Sequence, residues 1–568
     1  MLFLLFSVML FGLLLCGSGC LLGKFLGYSA PRNPLIYFWL GFFIVSTLSM
    51  LGSLFAPINV INLLVFIIIG TIGLFFLFRE YKQSTIQYER AEKTIFVYVV
   101  VLTLLIIICF GAYTEWPGFA YDTDLYHAQT VRWYNEYGTP PGLGNLHSRL
   151  AFNSSWLSLA ALFDNGIWDN RSAWIMPVLA LLGGALYFLH ELIFSRKNGI
   201  RLYAFCILVW LLLKIGERAG PALYYDTPVH ILNAAIVLEA YYLFTGYNRN
   251  LSKKEIHVAA NLLMLGVSAF MIKPIGAVSL LFSGVLTLFL LLRNTKRAVS
   301  SWFIIFTPAL SAFSVWVIKN IFLSGYLLYP LPIFAAPLDW TMPFELAEIN
   351  YKAVLAWARI PGPGSIQSLE NGFLFWFRPW LIRNLNSNTF LLFAAFPSFF
   401  SIIIWFFIIR YNDIKKAIYF FIWALFSIVY WFLTAPDIRF GDGFFWVFLG
   451  AACLYAAPDI PHLAIADFWK NPKIRIIFFY FWGLCVICMI GYAALSSRRN
   501  LFTIGTIPSR PVKEYIVNTE PPFAIWIPDD ERDDRTGNSP LPSAPGIPNN
   551  LQMREPGNPG KGFRPIRH

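Results

Sequence analysis

Apolar runs long enough to cross a lipid bilayer recur along this chain, and they constrain its fold more than any other feature. A spanning helix needs about 20 mostly apolar residues. About fourteen stretches qualify: 1–23, 36–57, 60–78, 94–113, 172–194, 202–215, 229–245, 258–272, 275–292, 302–323, 389–409, 417–433, 444–457 and 474–495. Three of them, 202–215, 258–272 and 444–457, are short and read as tilted partners in a bundle. The first run has no basic residue before it, so it reads as a retained spanning helix rather than a cleaved signal peptide. Charged residues make up 13% of the 568 and the mean hydropathy is +0.60. A soluble domain carries about 25% charged residues, so this chain cannot cover a water-facing surface. The expectation is an all-α membrane protein with about fourteen transmembrane helices, outward-facing helical loops and an extended C-terminal tail.

The net charge of +12 invites a nucleic-acid partner. The Lys and Arg residues form no single patch, however, and nucleic acid is excluded on that ground. They come in small clusters between apolar runs: Arg79, Lys82, Arg90 and Lys93; Arg196, Lys197 and Arg201; Arg249, Lys253 and Lys254; Arg293, Lys296 and Arg297; Arg410, Lys415 and Lys416; Lys470, Lys473 and Arg475. Every second connection is short and basic, which places those connections in the cytoplasm. The chain therefore reads as a multi-pass protein of the plasma (inner) membrane. Its outward connections are 114–171, 216–228, Lys273-Pro274, 324–388 and 435–443, and long loops usually carry function. The organisation expected is N-terminal helices in 1–78, a membrane core in 79–495 and an extracytoplasmic tail in 496–568. The tail is rich in Pro, Gly, Asn and charge. It reads as loosely ordered or, alternatively, as lying over the outer loops with Trp526 and Phe563 as anchors.

The seven cysteines all lie in or at the edge of apolar runs. They read as apolar fillers, Cys485-Val-Ile-Cys488 included, because no His or carboxylate is near.

The densest chemistry lies in Tyr121-Asp122-Thr123-Asp124-Leu125-Tyr126-His127, just outside the 94–113 run. On a helix, Asp122 and Tyr126 share a face, and so do Asp124 and His127. A carboxylate beside aromatics at a membrane boundary is partly desolvated, which raises its basicity and suits a general base. Asp122 and Asp124 could instead only cap a helix. The nearby Asn145, His147, Arg149 and Asn153 favour a site. Asp226 and Lys273 lie on the same side, where Asp226 could cap a span and Lys273 could snorkel or hold a phosphate. Arg359, Arg378, Arg383, Arg439 and Lys319 add cations near outer helix ends, where the positive-inside rule disfavours them. An anionic substrate or lipid headgroups would account for them. Trp340, Trp357, Trp376 and Trp380 fit an interfacial belt. No P-loop, GxSxG, HExxH or dinucleotide fingerprint is present.

An outward loop bearing Asp at the end of a span, in a polytopic bundle, resembles the GT-C superfamily of integral membrane glycosyltransferases. Protein O-mannosyltransferases and lipid A aminoarabinose transferases are relatives in that class. The 121–127 run, Asn145-Leu146-His147-Ser148-Arg149 and Ser324-Gly325-Tyr326-Leu327-Leu328-Tyr329-Pro330 also resemble a poorly characterised bacterial family of large membrane proteins. The resemblance implies a polyprenyl-phosphate-linked sugar as donor and an outward hydroxyl on a glycan, lipid or protein as acceptor. It implies Asp122 or Asp124 as base, with His127 as a further catalytic candidate. Tyr126, Arg149, Arg218, Asp226, Lys273, Arg359, Arg378 and Arg439 are then candidates for substrate binding. No cofactor is required, although an Asp-x-Asp pair can hold a divalent metal when the donor is a pyrophosphate. Three spans precede the motif here, whereas the class usually places it after the first, so 1–78 reads as an added element. The alternatives are a transporter or flippase of lipid-linked glycans, and a glycan polymerase or ligase.

Overall fold

The computed structural model describes residues 2–28, 31–83, 120–195, 197–218, 222–246, 251–293, 299–362, 365–408, 414–456, 504–548 and 550–566. Among these, twelve helices are long and apolar enough to cross a membrane. They are Leu2–Phe25 (α1), Ile36–Ser53 (α2) and Val60–Gln83 (α3), then, beyond the 120–171 segment, Ser172–Phe194 (α4), Asn198–Arg218 (α5), Asp226–Gly246 (α6) and Lys253–Ile272 (α7). Ala277–Arg293 (α8), Val299–Ser324 (α9), the segment Asn388–Phe406 (α10), Ile414–Thr434 (α11) and Ile438–Ala456 (α12) complete the set. The protein is thus a helical multi-pass membrane protein. Each of the twelve coincides with an expected span; the other two, 94–113 and 474–495, lie outside the described residues.

The three spans expected to be short are full length. α5, α7 and α12 have 21, 20 and 19 residues. Each helix runs beyond its apolar run into polar residues, because hydrogen bonding and not apolarity sets a helix end. In α7 the start is fixed by Ser252, whose hydroxyl accepts the Glu255 N–H while the Glu255 carboxylate accepts the Ser252 N–H. The same effect shrinks the outer connections. Arg439 and Asp442, expected in a loop at 435–443, stand on the first turns of α12.

Lipid offers no hydrophobic drive between helices, so close packing of small residues holds them. A Cβ on Gly41 of α2 would stand 1.8 Å from the Leu15 carbonyl oxygen of α1, and one on Gly73 of α3 would stand 1.9 Å from that of Gly17. The first three helices therefore touch backbone to backbone. α6 packs against α4, α7 and α12, and α12 packs against α5, and the N-terminal ends of α6 and α12 stand side by side.

The described residues are mostly helical, as expected, and the tail adds strands that hydropathy did not predict. It folds into two antiparallel hairpins, β1 (Val512–Val517) with β2 (Phe523–Pro528) and β3 (Leu551–Met553) with β4 (Phe563–Pro565). It also docks on the 120–171 segment. Phe563 is fully buried and meets Trp133 edge-on at 6.0 Å. Its N–H bonds the Pro141 carbonyl at 2.9 Å. The adjoining Gly562 (φ +88°) lies so close to Pro141 that a Cβ there would stand 1.9 Å from its carbonyl oxygen. Of the two expected anchors, only Phe563 does this; Trp526 bonds Pro542 and Ala544 inside the tail. The strands escape a hydropathy reading because they are short and half-exposed.

Candidate functional site

The 121–127 run begins a helical segment, with a π-helical turn over Thr123–His127 followed by an α-helix over Ala128–Glu136. π-turns occur often at functional sites. Here the turn sends neighbouring acids in different directions. Asp122 makes no capping hydrogen bond, so its carboxylate is not spent on the helix end. Its carboxylate meets Arg439 Nη1 at 3.1 Å and Arg149 Nη1 at 3.7 Å. Asp226, at the start of α6, accepts from Lys273 Nζ and stands 3.9 Å from Arg439 Nε. Arg439 thus bridges two carboxylates from different elements, and Lys273, between α7 and α8, closes the group.

Aromatic rings wall this cluster. Lys273 Nζ lies 3.6 Å from the Phe440 ring centroid, and the Arg439 guanidinium lies 4.6 Å from the same ring. The Tyr126 and Tyr225 hydroxyls are 3.1 Å apart. His127 packs against Tyr126 at 4.2 Å and Tyr225 at 5.1 Å, and neither of its ring nitrogens has a hydrogen-bond partner. Burial pushes the His127 pKa down to about 3, so its imidazole is neutral at physiological pH. Burial also lowers the Lys273 pKa, and the Asp226 carboxylate works against that shift.

Asp124 has a different environment. It is fully buried, and its carboxylate is clasped by Arg510 of the tail, with Nε at 2.9 Å. Its backbone is held as well. The Ala128 N–H bonds the Thr123 carbonyl across the π-turn, and the Asp124 carbonyl accepts the Gly537 N–H at 2.7 Å. Asp122 and Asp124 therefore have different partners, Arg149 and Arg439 for the first and Arg510 for the second.

Of the expected site residues, Asp122, Tyr126, His127, Arg149, Asp226, Lys273 and Arg439 come together. Arg359 does not join them: its Nη1 donates to the Ser368 carbonyl at 3.3 Å and its guanidinium lies 4.8 Å from the Trp376 ring. Arg378 and Arg383 are exposed on the helix Phe373–Leu385. Lys319 lies near the end of α9, beside the end of α2, but it is fully buried: it donates to Ser53 and Ser158 and faces the Tyr134 ring. The Arg218 side chain lies outside the described residues.

Two features escaped the sequence. Arg510 carries no local signal, because its partner is 386 residues away. Below the cluster, Lys214 of α5 and Asp442 of α12 form an ion pair at 2.6 Å, both almost fully buried, with His230 Nε2 3.9 Å from the same carboxylate. The two layers share elements: α6 carries Asp226 and His230 one turn apart, and α12 carries Arg439 and Asp442 likewise. A small cleft lined by Tyr224, Asp226 and Lys214 adjoins both.

The family described as Domain of unknown function (DUF8201) matches residues 1–446. That region includes every residue of the Asp122 cluster and ends before the tail. No curated protein and no solved structure matches the chain.

Proposed function

We propose that this chain, which belongs to the DUF8201 family, is an integral membrane glycosyltransferase with fourteen crossings and a site facing outward from the inner membrane. It moves a sugar from a polyprenyl-phosphate donor to an acceptor hydroxyl. The observation that carries this reading is Asp122 between Arg149 and Arg439, with Asp226 and Lys273 alongside. Asp122 takes the proton from the acceptor hydroxyl. Arg439, Arg149 and Lys273 hold the phosphate, which leaves as an anion and so needs cations more than a proton donor. Phosphate binding also draws the two guanidinium groups off Asp122, which frees it to act as a base. Neutral His127 and the Tyr126–Tyr225 pair form an uncharged wall suited to a sugar ring.

The test is transfer by purified protein in nanodiscs, supplied with polyprenyl-phosphate-linked sugars. Asp122→Asn is expected to lower kcat by about 100-fold or more, the range of general-base contributions. Full transfer by Asp122→Asn would sink the proposal.

A second reading, transport of a lipid-linked glycan, is favoured by the membrane-buried Lys214–Asp442 pair, since intramembrane charges mark transport paths. Translocation of a fluorescent lipid-linked sugar without product formation, lost in Lys214→Met, would favour it.

A further inference from the structure

A cavity of about 220 Å³ lies at the opposite end of α6 from the Asp122 cluster, at the end of the bundle that carries the basic connections. The helical rise puts its Glu239 about 20 Å along α6 from Asp226. The walls come from the loop before α2 (Tyr28, Arg32), the last turns of α6 (Glu239, Tyr242) and the first turns of α7 (His257, Asn261).

The charges here are unevenly met. Behind the wall, Glu191 has Arg32 at 3.6 Å and accepts from Tyr242 at 2.7 Å and Asn33 at 3.0 Å. Glu239 is 5% exposed and accepts from the Tyr187 hydroxyl at 2.5 Å, but no cation stands within ion-pair distance of it among the described residues. A buried carboxylate in a spanning helix is costly without a counter-charge.

The hydrogen-bonding capacity is also unmet. His257 is 4% exposed with both ring nitrogens unpartnered, Asn261 is 5% exposed with Oδ1 unpartnered, and the Tyr28 hydroxyl lacks a partner. Buried polar groups are nearly always paired, so several such groups around one void are the complement of a guest. The Tyr28 and His257 rings stack at 4.3 Å and offer an aromatic surface to an ammonium group. Arg32 and Lys254 line the same cavity and oppose a bare cation, while Glu239 and Glu255 oppose a bare anion.

We propose that this cavity binds a small zwitterionic amine of the phosphoethanolamine type. Its ammonium sits on Glu239 and Asn261, and its anionic group lies toward Arg32 and Lys254. Two sources offer this chemistry, a free phosphoethanolamine and the headgroup of phosphatidylethanolamine. The site is independent of the glycosyltransferase reading.

The experiment uses the full chain in two arms. In phosphatidylglycerol nanodiscs, O-phosphoethanolamine is titrated by calorimetry, with ethanolamine and inorganic phosphate as comparisons. Saturable binding that weakens at least tenfold in Glu239→Gln and in Asn261→Leu supports the site with a soluble guest. In phosphatidylethanolamine nanodiscs, native mass spectrometry that shows a lipid adduct on the wild type and none on the variants supports the site with a lipid guest. Asn261→Leu removes no charge and carries the test if Glu239→Gln does not fold. Binding in neither arm, or variants that bind as the wild type does, would overturn the inference.

Discussion

Two aspartates two positions apart have opposite fates here. Asp122 retains some exposure and faces cations that a substrate could claim, whereas Asp124 is fully buried against Arg510. Asp124→Asn should therefore alter stability more than chemistry, and Asp122→Asn the reverse; thermal unfolding and transfer assays on the same preparations check the split. His127 gives a pH prediction. Its folded pKa of about 3 lies below the ordinary 6.5, so in that window the unfolded chain binds a proton that the folded chain refuses. Stability should then fall as pH drops below about 6.5, with the loss complete near 3. Between pH 6.5 and 5 this one group accounts for up to about 2 kcal/mol. His127→Gln should shrink the acid sensitivity of thermal unfolding by that much. An unchanged pH profile in the variant would mean that the imidazole takes up its proton as readily in the fold as in the unfolded chain.

At the scale of elements, the π-turn and the tail form one unit. The turn leaves the Asp124 carbonyl to Gly537, and Arg510 completes the clasp on the side chain. Gln129 and Arg132, on the helix that follows, donate to the Gly537, Asn538 and Ser539 carbonyls. The tail thereby fixes the segment that presents Asp122 and His127. Arg510→Ala would leave Asp124 as an unpaired buried charge, at a cost of about 3–5 kcal/mol. Adding Asp124→Asn should recover part of it. Hydrogen exchange over 120–136 should rise in Arg510→Ala, and if it stays at the wild-type level the tail is not what orders the turn.

The whole molecule stacks two charged layers where α5, α6 and α12 meet. The layer of Asp122, Arg439 and Lys273 is partly exposed, and the second layer, Lys214 with Asp442, is not. Removing one partner of such a pair is costly, while replacing both with apolar residues of similar size is often neutral. Asp442→Leu alone should lower stability by about 3–5 kcal/mol, and Lys214→Met with Asp442→Leu should restore it. A single variant as stable as the wild type would show that the pair is not buried as a charge. If the double variant folds but loses activity, the pair serves function rather than folding.

The sequence alone determined the class of fold and the positions of the twelve described spans, because lipid demands long apolar runs and the chain has few other places to put them. It also named most of the Asp122 cluster, since charges beside membrane spans are too costly to be there without a reason. It could not choose between Asp122 and Asp124, recognise that Lys319 is internal, or find Arg510, Lys214 and Asp442 as partners. Those depend on which helix faces meet and on a tail whose short strands carry little hydropathy signal. The contacts run across as many as 413 residues, as from Tyr121 to Asp534, and only the folded chain brings such distant groups within hydrogen-bonding reach.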